Sequence, residues 1–320
     1  MKAPIRSLLL LLAMAFAIQS HAQDLPTTYR FISPNPAGGA NDILTRIVAH
    51  AMQTELKATT IVENISGASG AIGRDKVAAS KPDGSTLMVA GANHLLLDVV
   101  SGRDKMREFA GLSGFAGIPL VLVGRPTLEP RTADELIAYL RKPDTRLNIA
   151  GGGTGTLPQM AAALLQQRAG VPLSYVSYRG APNMVPDLMG GHIDLAVLVL
   201  PSALSSIRNG SVRAYGLFSA SKVDAAPEIP LLRDSKALAG MEPVESWLAV
   251  YVPAATPPAL RQKMAISLGT MLHKPEAVAA IRTAGAIPLA MDAASVARQM
   301  DTDAKLFRRV IDANKLTFDR

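Results

Sequence analysis

Two glycine-rich segments contain the residue types best suited to bind an anion. The first reads Pro34-Asn35-Pro36-Ala37-Gly38-Gly39-Ala40-Asn41-Asp42 and lies between a strand-like run and an apolar pattern of helical period. The second reads Gly151-Gly152-Gly153-Thr154-Gly155-Thr156 and has the same kind of position. A strand–turn–helix junction leaves the first helical N–H groups without intrahelical acceptors, at the positive end of the helix dipole. Either segment alone could be a plain tight turn, but the pair predicts an anion site built from backbone N–H groups.

Both segments also contain signals of a helix start. Thr156 with Gln159 fits a capping box, and Pro158 fits the first turn of the following helix. Asp42 is acidic, so we expect it, with Asn41, to cap and order the first loop rather than to touch an anion directly.

A third glycine-rich loop, residues 66–73, contains Ser69. Its spacing departs by one residue from the G-x-G-x-x-G dinucleotide pattern, and it is one residue short of the G-x-S-x-G nucleophile elbow. None of the three loops ends in the G-K-[ST] of a P-loop. We therefore expect Ser69 to line a ligand cleft, with a periplasmic hydrolase that uses Ser69 and a histidine as the alternative.

The cysteine and histidine content indicates neither a metal site nor a cofactor. The chain has no cysteine, and its five histidines form no metal-ligand spacing such as H-E-x-x-H. His94, which follows Asn93 after a strand pattern, either lines the cleft or is an ordinary loop histidine. Trp247, the one tryptophan, is expected to pack in the core or at a hinge.

The N-terminal residues have the pattern of an export signal. Lys2 and Arg6 accompany an apolar run, Leu8 to Ile18, that is too short to span a bilayer. The small residues around Ala22 suit cleavage before Gln23, which predicts a periplasmic protein, with a membrane anchor as the alternative. Loss of the two basic residues lowers the formal charge from +7 to +5, which suits small anions. Scattered basic residues and 4% aromatic content argue against a nucleic-acid partner.

Alternating strand and helix patterns predict an α/β fold with largely parallel sheets. Strand patterns cover residues 60–63, 86–89, 120–123, 147–150 and 194–198. Helix patterns cover residues 41–56, 74–80, 132–141, 158–169, 184–189, 258–272, 275–284 and 293–314.

Two apolar runs are expected to carry the chain between two lobes. The first ends at Val121-Leu122-Val123-Gly124, and the second begins at Val244-Glu245-Ser246-Trp247. They predict a signal peptide over residues 1–22, a discontinuous first lobe over 23–124 and 246–320, and a second lobe over 125–245. This organisation fits a hinged binding protein, and we expect a monomer that is not an enzyme.

A series of motifs resembles the Bug family, the periplasmic substrate-binding components of tripartite tricarboxylate transporters. Residues 34–42 are similar to P-[FY]-P-[AP]-G-G-x-x-D, and residues 62–73 to V-E-N-x-x-G-A-x-G-x-I-G. Residues 82–87 resemble P-D-G-Y-T-L, residues 178–182 resemble Y-[KR]-G-x-x-P, and residues 187–194 match D-L-[LM]-G-G-x-[VI]-D. Pro201-Ser202-Ala203-Leu204 and Ser246-Trp247 follow in the family's order, so the resemblance covers nearly the whole mature chain.

The resemblance implies a type II periplasmic binding protein fold, with two α/β lobes joined by two crossing strands and the ligand cleft between them. It implies a small carboxylate ligand, membrane subunits of a tripartite tricarboxylate transporter as partners, and no cofactor. A sensor that presents the solute to a signalling receptor is the alternative. Together with the glycine-rich loops, the resemblance gives the residues that we expect to contact the ligand: Pro36, Ala37, Gly38, Gly39, Asn41, Asp42, Ser69, Asn93, Gly152, Gly153, Thr154, Gly155, Thr156, Pro182 and Leu198.

Four positions depart from the family pattern. Asn35 replaces an aromatic residue, and Leu157 and Pro158 stand where hydroxyl residues are common. Leu198 stands where many members have an aspartate. Because an acid there would favour a ligand with an amino group, we hypothesise that this chain prefers a plain aliphatic or aromatic carboxylate.

Overall fold

The computed structural model describes residues 25–153, 155–313 and 315. Ten strands are present in this part of the chain: β1 Thr28–Ser33, β2 Thr59–Asn64, β3 Thr86–Gly91, β4 Phe109–Gly124, β5 Asn148–Gly151, β6 Ser174–Ser177, β7 Leu195–Val199, β8 Arg213–Leu217, β9 Glu245–Pro253 and β10 Ile287–Asp292. The helices are α1 Ala40–Leu56, α2 Ala71–Ala78, α3 Ala92–Ser101, α4 Ala133–Leu140, α5 Leu157–Ala169, α6 Ala181–Gly190, α7 Leu200–Arg208, α8 Pro258–Leu272, α9 Pro275–Thr283 and α10 Ala293–Ala313. Short 3-10 turns cover Ala68–Gly70, Lys105–Glu108 and Leu232–Asp234.

Helical periodicity explains why α1 forms and how it packs. Leu44, Val48 and Met52 recur every four residues and are all buried, so one apolar stripe faces the sheet. The helix ends where Lys57 adopts a left-handed conformation with φ 54°, and β2 then pairs in parallel with β1. This strand–helix–strand unit places the loop of residues 34–39 at the carboxyl end of β1.

The strands follow the order β2-β1-β3-β9-β4-β7-β5-β6, with β8 and β10 also paired to β4. Pairing is parallel among β1, β2 and β3 and among β5, β6 and β7. Every pair that includes β4 or β9 is antiparallel. The α/β prediction is confirmed, but the prediction of largely parallel sheets holds only for the outer strands, since the two central strands run against them.

The long strand β4 belongs to both halves of the sheet. Its residues from Phe109 to Pro119 pair with β9, and those from Leu120 to Gly124 pair with β7. Strand β9 pairs with β3 and β4, and Val244, just before it, donates its N–H to the carbonyl of Phe218. The chain therefore passes between the two groups of strands near residue 119 and again before residue 245. The division into two lobes stays a prediction, and its first boundary would move from residue 124 to about residue 119.

Most predicted helices and strands occur within a few residues of their expected bounds. Three elements next to the site were not predicted: α3, α7 and β6. The predicted export signal and residue Thr154 lie outside the described residues. Within the described part, no helix combines the length and apolar character that a membrane span requires.

Candidate functional site

Six strand-to-helix junctions meet at one cavity of about 620 Å³. Because β1, β2 and β3 are parallel, their carboxyl ends lie at one edge, and the same holds for β5, β6 and β7. Ligands of α/β proteins bind at such edges. The residues that follow these six strands and line the cavity include Pro34, Ser66, Asn93, Gly152, Tyr178 and Ser202.

The electrostatic character of the cavity favours an anion. Helices α1, α3, α5, α6 and α7 all begin at its wall, so the positive ends of their dipoles converge there. Among the described lining residues there is no aspartate or glutamate, and Arg179, which is exposed, is the one residue with a full positive charge. The inner wall is apolar and includes Ile118, Leu120, Val197, Leu198 and Leu248. A carboxylate with an apolar body fits this combination.

The structure corrects the role predicted for Gly38. Its N–H donates to Oδ2 of Asp42 at 2.9 Å, and the N–H of Gly39 donates to the carbonyl of Pro36 at 3.3 Å. Both predicted donors are therefore used inside the loop. Ala40 and Asn41, the first two residues of α1, line the cavity, and N–H groups at these positions have no intrahelical acceptor. The N–H groups of this loop without a partner inside the helix therefore lie two residues further along the chain than the predicted donors.

Asp42 orders the first loop, as its charge suggested. Its carboxylate accepts from Gly38, from Nδ2 of Asn64 at 3.0 Å and from Arg46 at 3.0 Å. Burial alone would raise the pKa of Asp42, but these donors outweigh burial and hold the pKa below its usual value. The Asn41 side chain is also structural, because it accepts from Ser33 and donates to the carbonyl of Val89.

The second loop forms a different set of hydrogen bonds from the predicted capping box. The Thr156 hydroxyl donates to the carbonyl of Gly153 at 2.8 Å instead of capping α5. Gln159 accepts from the N–H of Gly155 at 2.9 Å, one residue before the helix cap. The capping-box prediction is therefore wrong, whereas Pro158 lies in the first turn of α5 as predicted. The carbonyl of Gly152 accepts a hydrogen bond from the Tyr175 hydroxyl at 2.6 Å, which ties the loop to β6.

Asn93 connects two helix starts across the cavity. Its Oδ1 accepts from the N–H of Leu157 at 2.8 Å, where Leu157 is the first residue of α5. The next residue is Pro158, which has no N–H. Because Asn93 occupies the first donor of α5 and the second position offers none, the start of α5 has fewer donors for a ligand than predicted.

The predicted residues divide into two groups by position. Those on the cavity wall are Pro36, Gly39, Asn41, Ser69, Asn93, Gly152, Gly153, Thr156, Pro182 and Leu198. Those away from the wall are Ala37, Gly38, Asp42 and Gly155. Several wall residues were not predicted, namely Asn35, Ser177, Arg179 and Ser202, whereas His94 lines the wall as one of its two alternatives had it. Their common signal is a position just after a strand, which becomes visible once β6 and α7 are recognised.

The geometry around Ser69 does not favour the hydrolase alternative. Ser69 has a left-handed backbone, with φ 52°, and lines the cavity with His94. A general base must accept a proton from the nucleophile. Burial, with the nearby charge of Arg74, lowers the pKa of His94 to about 3, so this histidine is a weak base. Among the described residues, no group of three histidine, aspartate or glutamate side chains could hold a metal ion.

A larger cavity of about 1020 Å³ lies on the other side of β4 and β9. Ile118 and Ser246 line both cavities, so these two strands form the wall between them. One side of α10 lines the larger cavity. The wall of this cavity also contains acidic residues, including Glu242 and Asp303. It therefore lacks the convergent helix starts that suit the smaller cavity to an anion.

Comparison with protein families gives one match over most of the chain. The profile described as "Tripartite tricarboxylate transporter family receptor" matches residues 44–316. A UPF0065 protein from the TAR-I ttuE–ttuC′ intergenic region of Agrobacterium vitis is 31% identical over 267 residues. That alignment covers 82% of this chain and 77% of the relative.

Solved structures of binding proteins have the same fold. The periplasmic binding protein BugD is 27% identical, with a TM-score of 0.77 over 88% of this chain and 97% of BugD. A Rhodopseudomonas palustris protein with adipate is 24% identical, with a TM-score of 0.83 over 91% of this chain and 99% of that protein. These matches confirm the predicted fold of the periplasmic binding protein type, and they are to binding proteins rather than enzymes.

Proposed function

The chain belongs to the tripartite tricarboxylate transporter receptor family, and from that premise we propose that it captures a small carboxylate in the 620 Å³ cavity. The carboxylate would lie against the helix starts and accept hydrogen bonds from backbone N–H groups, among them those of Ala40 and Asn41. The chain would act in the periplasm, after cleavage near Ala22, and would deliver its ligand to membrane subunits of a transporter.

The observation that carries this proposal is the convergence of five helix starts on a cavity without acidic side chains among its described residues. Each helix start attracts a negative charge by about 0.3–1 kcal/mol at exposed sites and by more where it is partly buried. Hydrogen bonds to a charged group contribute about 1.5–3 kcal/mol each. A few such bonds and dipoles supply the roughly 8 kcal/mol of a micromolar complex, after entropy costs, without an arginine clamp.

The apolar wall supports a plain carboxylate rather than an amino acid. Leu198 is buried in this wall, where an aspartate would be needed to pair with a ligand ammonium group. A buried ammonium without such a partner would be strongly disfavoured. The Rhodopseudomonas palustris protein of similar fold was solved with adipate, a dicarboxylate with an apolar chain. Adipate belongs to the ligand class that we propose for this cavity.

The first test is a thermal-shift comparison of adipate with its diamide, adipamide. The two compounds have the same length and shape and differ in charge. At a hundred times its Kd a ligand adds about 2.7 kcal/mol of stability, which raises the Tm by roughly 5–10 °C. We expect this rise with adipate, or with another acid of a panel that includes malate, succinate and benzoate, and no rise with the diamide. An absence of any shift with all acids, or an equal shift with the diamide, contradicts the proposal.

A second test separates plain carboxylates from amino acids. Glutarate and glutamate differ by one amino group, so calorimetric titration of the mature chain with both isolates its effect. We expect glutarate to bind at least about tenfold more tightly than glutamate, since the described lining residues include no acidic partner for the amino group. Tighter binding of glutamate would contradict the ligand class while leaving the binding function intact.

A further inference from the structure

Three buried polar atoms on the cavity wall have no hydrogen-bond partner among the described residues. They are Oδ1 of Asn35, Nε2 of His94 and Oγ of Ser202. Buried polar groups in native proteins nearly always have a partner, and leaving one unsatisfied is unfavourable. Three such atoms in one cavity indicate groups that a ligand would satisfy. His94 is the most enclosed of the three residues, since only 1% of its surface is exposed.

The hydrogen bonds of His94 determine which nitrogen carries the proton. The N–H of Gly91, at the cap of α3, donates to Nδ1 at 3.4 Å. A nitrogen that accepts a hydrogen bond has no proton, so in the neutral ring the proton is on Nε2. His94 therefore offers the cavity an N–H donor.

The surroundings of His94 keep the ring neutral and fixed. Arg74 donates to the carbonyl of His94 at 3.3 Å and to Oδ1 of Asp98 at 2.8 Å, and both charged side chains are almost fully buried. Asp98 also accepts from the N–H of Met106 at 2.7 Å. This buried network holds the first turn of α3 in place. With a pKa of about 3, His94 stays uncharged at neutral pH.

Gly70 leaves space in front of the donor nitrogen. A Cβ atom at this position would lie 2.9 Å from Nε2 of His94, closer than van der Waals contact allows. Gly70 also has a φ of +95°, which residues with a side chain rarely adopt. Any larger residue here would therefore cover Nε2 as well as strain the turn.

We propose that the Nε2–H of His94 donates a hydrogen bond to an oxygen of the ligand and so fixes the position of that oxygen on the cavity wall. This inference rests on the proposed function, since the ligand is the carboxylate proposed above. The helix starts would attract the negative charge, and His94, being neutral, would select an oxygen acceptor at a fixed position on the wall. The acceptor is either a carboxylate oxygen or a hydroxyl oxygen, and the experiment below distinguishes them.

The test compares two substitutions at His94 in the mature chain. His94→Leu removes the donor, whereas His94→Gln keeps an N–H donor on a side chain of similar reach. His50→Gln, on the exposed side of α1, is the matched control. The probes are succinate, malate, which adds one hydroxyl, and adipate. Far-UV circular dichroism and the Tm without ligand establish that each variant is folded.

We expect His94→Leu to weaken the best-bound probe by about tenfold or more, and His94→Gln to stay within about threefold of wild type. A loss confined to malate assigns the acceptor to the hydroxyl, and an equal loss for malate and succinate assigns it to a carboxylate. In ¹⁵N NMR spectra of the imidazole ring, the Nε2–H signal should shift when the probe is added. A purely structural histidine would show no such shift.

Three results would overturn the inference. Wild-type affinity in a folded His94→Leu variant would do so, as would a proton on Nδ1 in the NMR spectra. Both leave the proposed function intact, because the wild-type protein still binds the acid. If wild type binds neither the three probes nor any other acid of the panel above, the proposed function falls and this inference falls with it.

Discussion

At the scale of single residues, Asp42 links the first glycine loop to the rest of the fold. Asp42 is 4% exposed, and its carboxylate accepts hydrogen bonds from Gly38 in the loop and from Asn64 in β2. Loss of a buried acceptor with several donors leaves those donors unsatisfied. The position of Ala40 and Asn41 on the cavity wall therefore depends on a side chain that is away from that wall.

We expect Asp42→Asn to lower the free energy of unfolding by about 1–3 kcal/mol at pH 7, because an amide matches these donors poorly. The salt bridge to Arg46 adds little, since the Arg46 side chain is 55% exposed. The folded-state pKa of Asp42 lies below its usual value, so its stabilising effect is present above pH 4 and is lost as pH falls through that lowered pKa. Urea unfolding at pH 7 and pH 3 should show a smaller difference between variant and wild type at pH 3. Asp312→Asn, at an exposed site, serves as the control, and an unchanged difference at both pH values contradicts this role for Asp42.

At the scale of secondary structure, the protein itself supplies a hydrogen-bond acceptor for one of the backbone N–H groups at the start of α5. Oδ1 of Asn93 accepts from its first N–H, and Pro158 removes the second. The two helices α3 and α5 thus meet across the cavity through a neutral hydrogen bond. A neutral group at this place is compatible with an anionic ligand nearby, whereas a carboxylate would repel it.

Asn93→Asp should therefore change stability and binding in opposite directions. An aspartate keeps the acceptor for Leu157 and adds a negative charge at a helix start, which stabilises by about 0.3–1 kcal/mol and raises the Tm by about 1–3 °C. The same charge should weaken adipate binding by about tenfold. Asn209→Asp is a matched control, because Asn209 is exposed and its Oδ1 also accepts a backbone N–H, from Ser211 at 3.0 Å. Equal affinity in both variants would show that Asn93 is remote from the bound charge.

Local sequence signals predicted some elements well and others not at all. Helix α8 begins at Pro258 and ends at Leu272 as predicted, because a proline in the first turn and an apolar period mark it. Helix α3 was missed because its Leu95-Leu96-Leu97 run has no helical period and could equally be a buried strand.

Only those parts of the site that local sequence patterns determine could be predicted. Both glycine loops were found from their strand–turn–helix pattern, but their donors were misplaced. The N–H of Gly38 is taken by Asp42, and that carboxylate is held by Asn64, 22 residues away. The contact between Asn93 and Leu157 spans 64 residues. Such contacts depend on the packed fold, and no local pattern indicates them.

At the scale of the whole molecule, β4 and β9 separate the 620 Å³ cavity from the larger cavity of about 1020 Å³. Trp247 lies on β9 and donates its indole N–H to Oδ2 of Asp303 on α10 at 2.6 Å. Gln299 donates to the other oxygen of Asp303 at 2.8 Å. The C-terminal helix is thereby attached to a strand that also reaches the ligand cavity through Ser246.

The last prediction concerns the protonation of Asp303. Burial raises the pKa of this carboxyl, and the hydrogen bonds from Trp247 and Gln299 only partly offset burial. A carboxyl whose folded-state pKa is raised contributes stability below its unfolded pKa, and that contribution is lost as pH rises through the folded-state value. Asp303→Asn keeps an oxygen acceptor for Trp247 but does not titrate. We therefore expect the stability of Asp303→Asn, relative to wild type, to be greater at pH 7 than at pH 3.5, measured by urea unfolding with the single tryptophan as the fluorescent reporter. Asp301→Asn, on the exposed side of the same helix, should show no such change, and a pH-independent difference for Asp303→Asn would contradict the raised pKa.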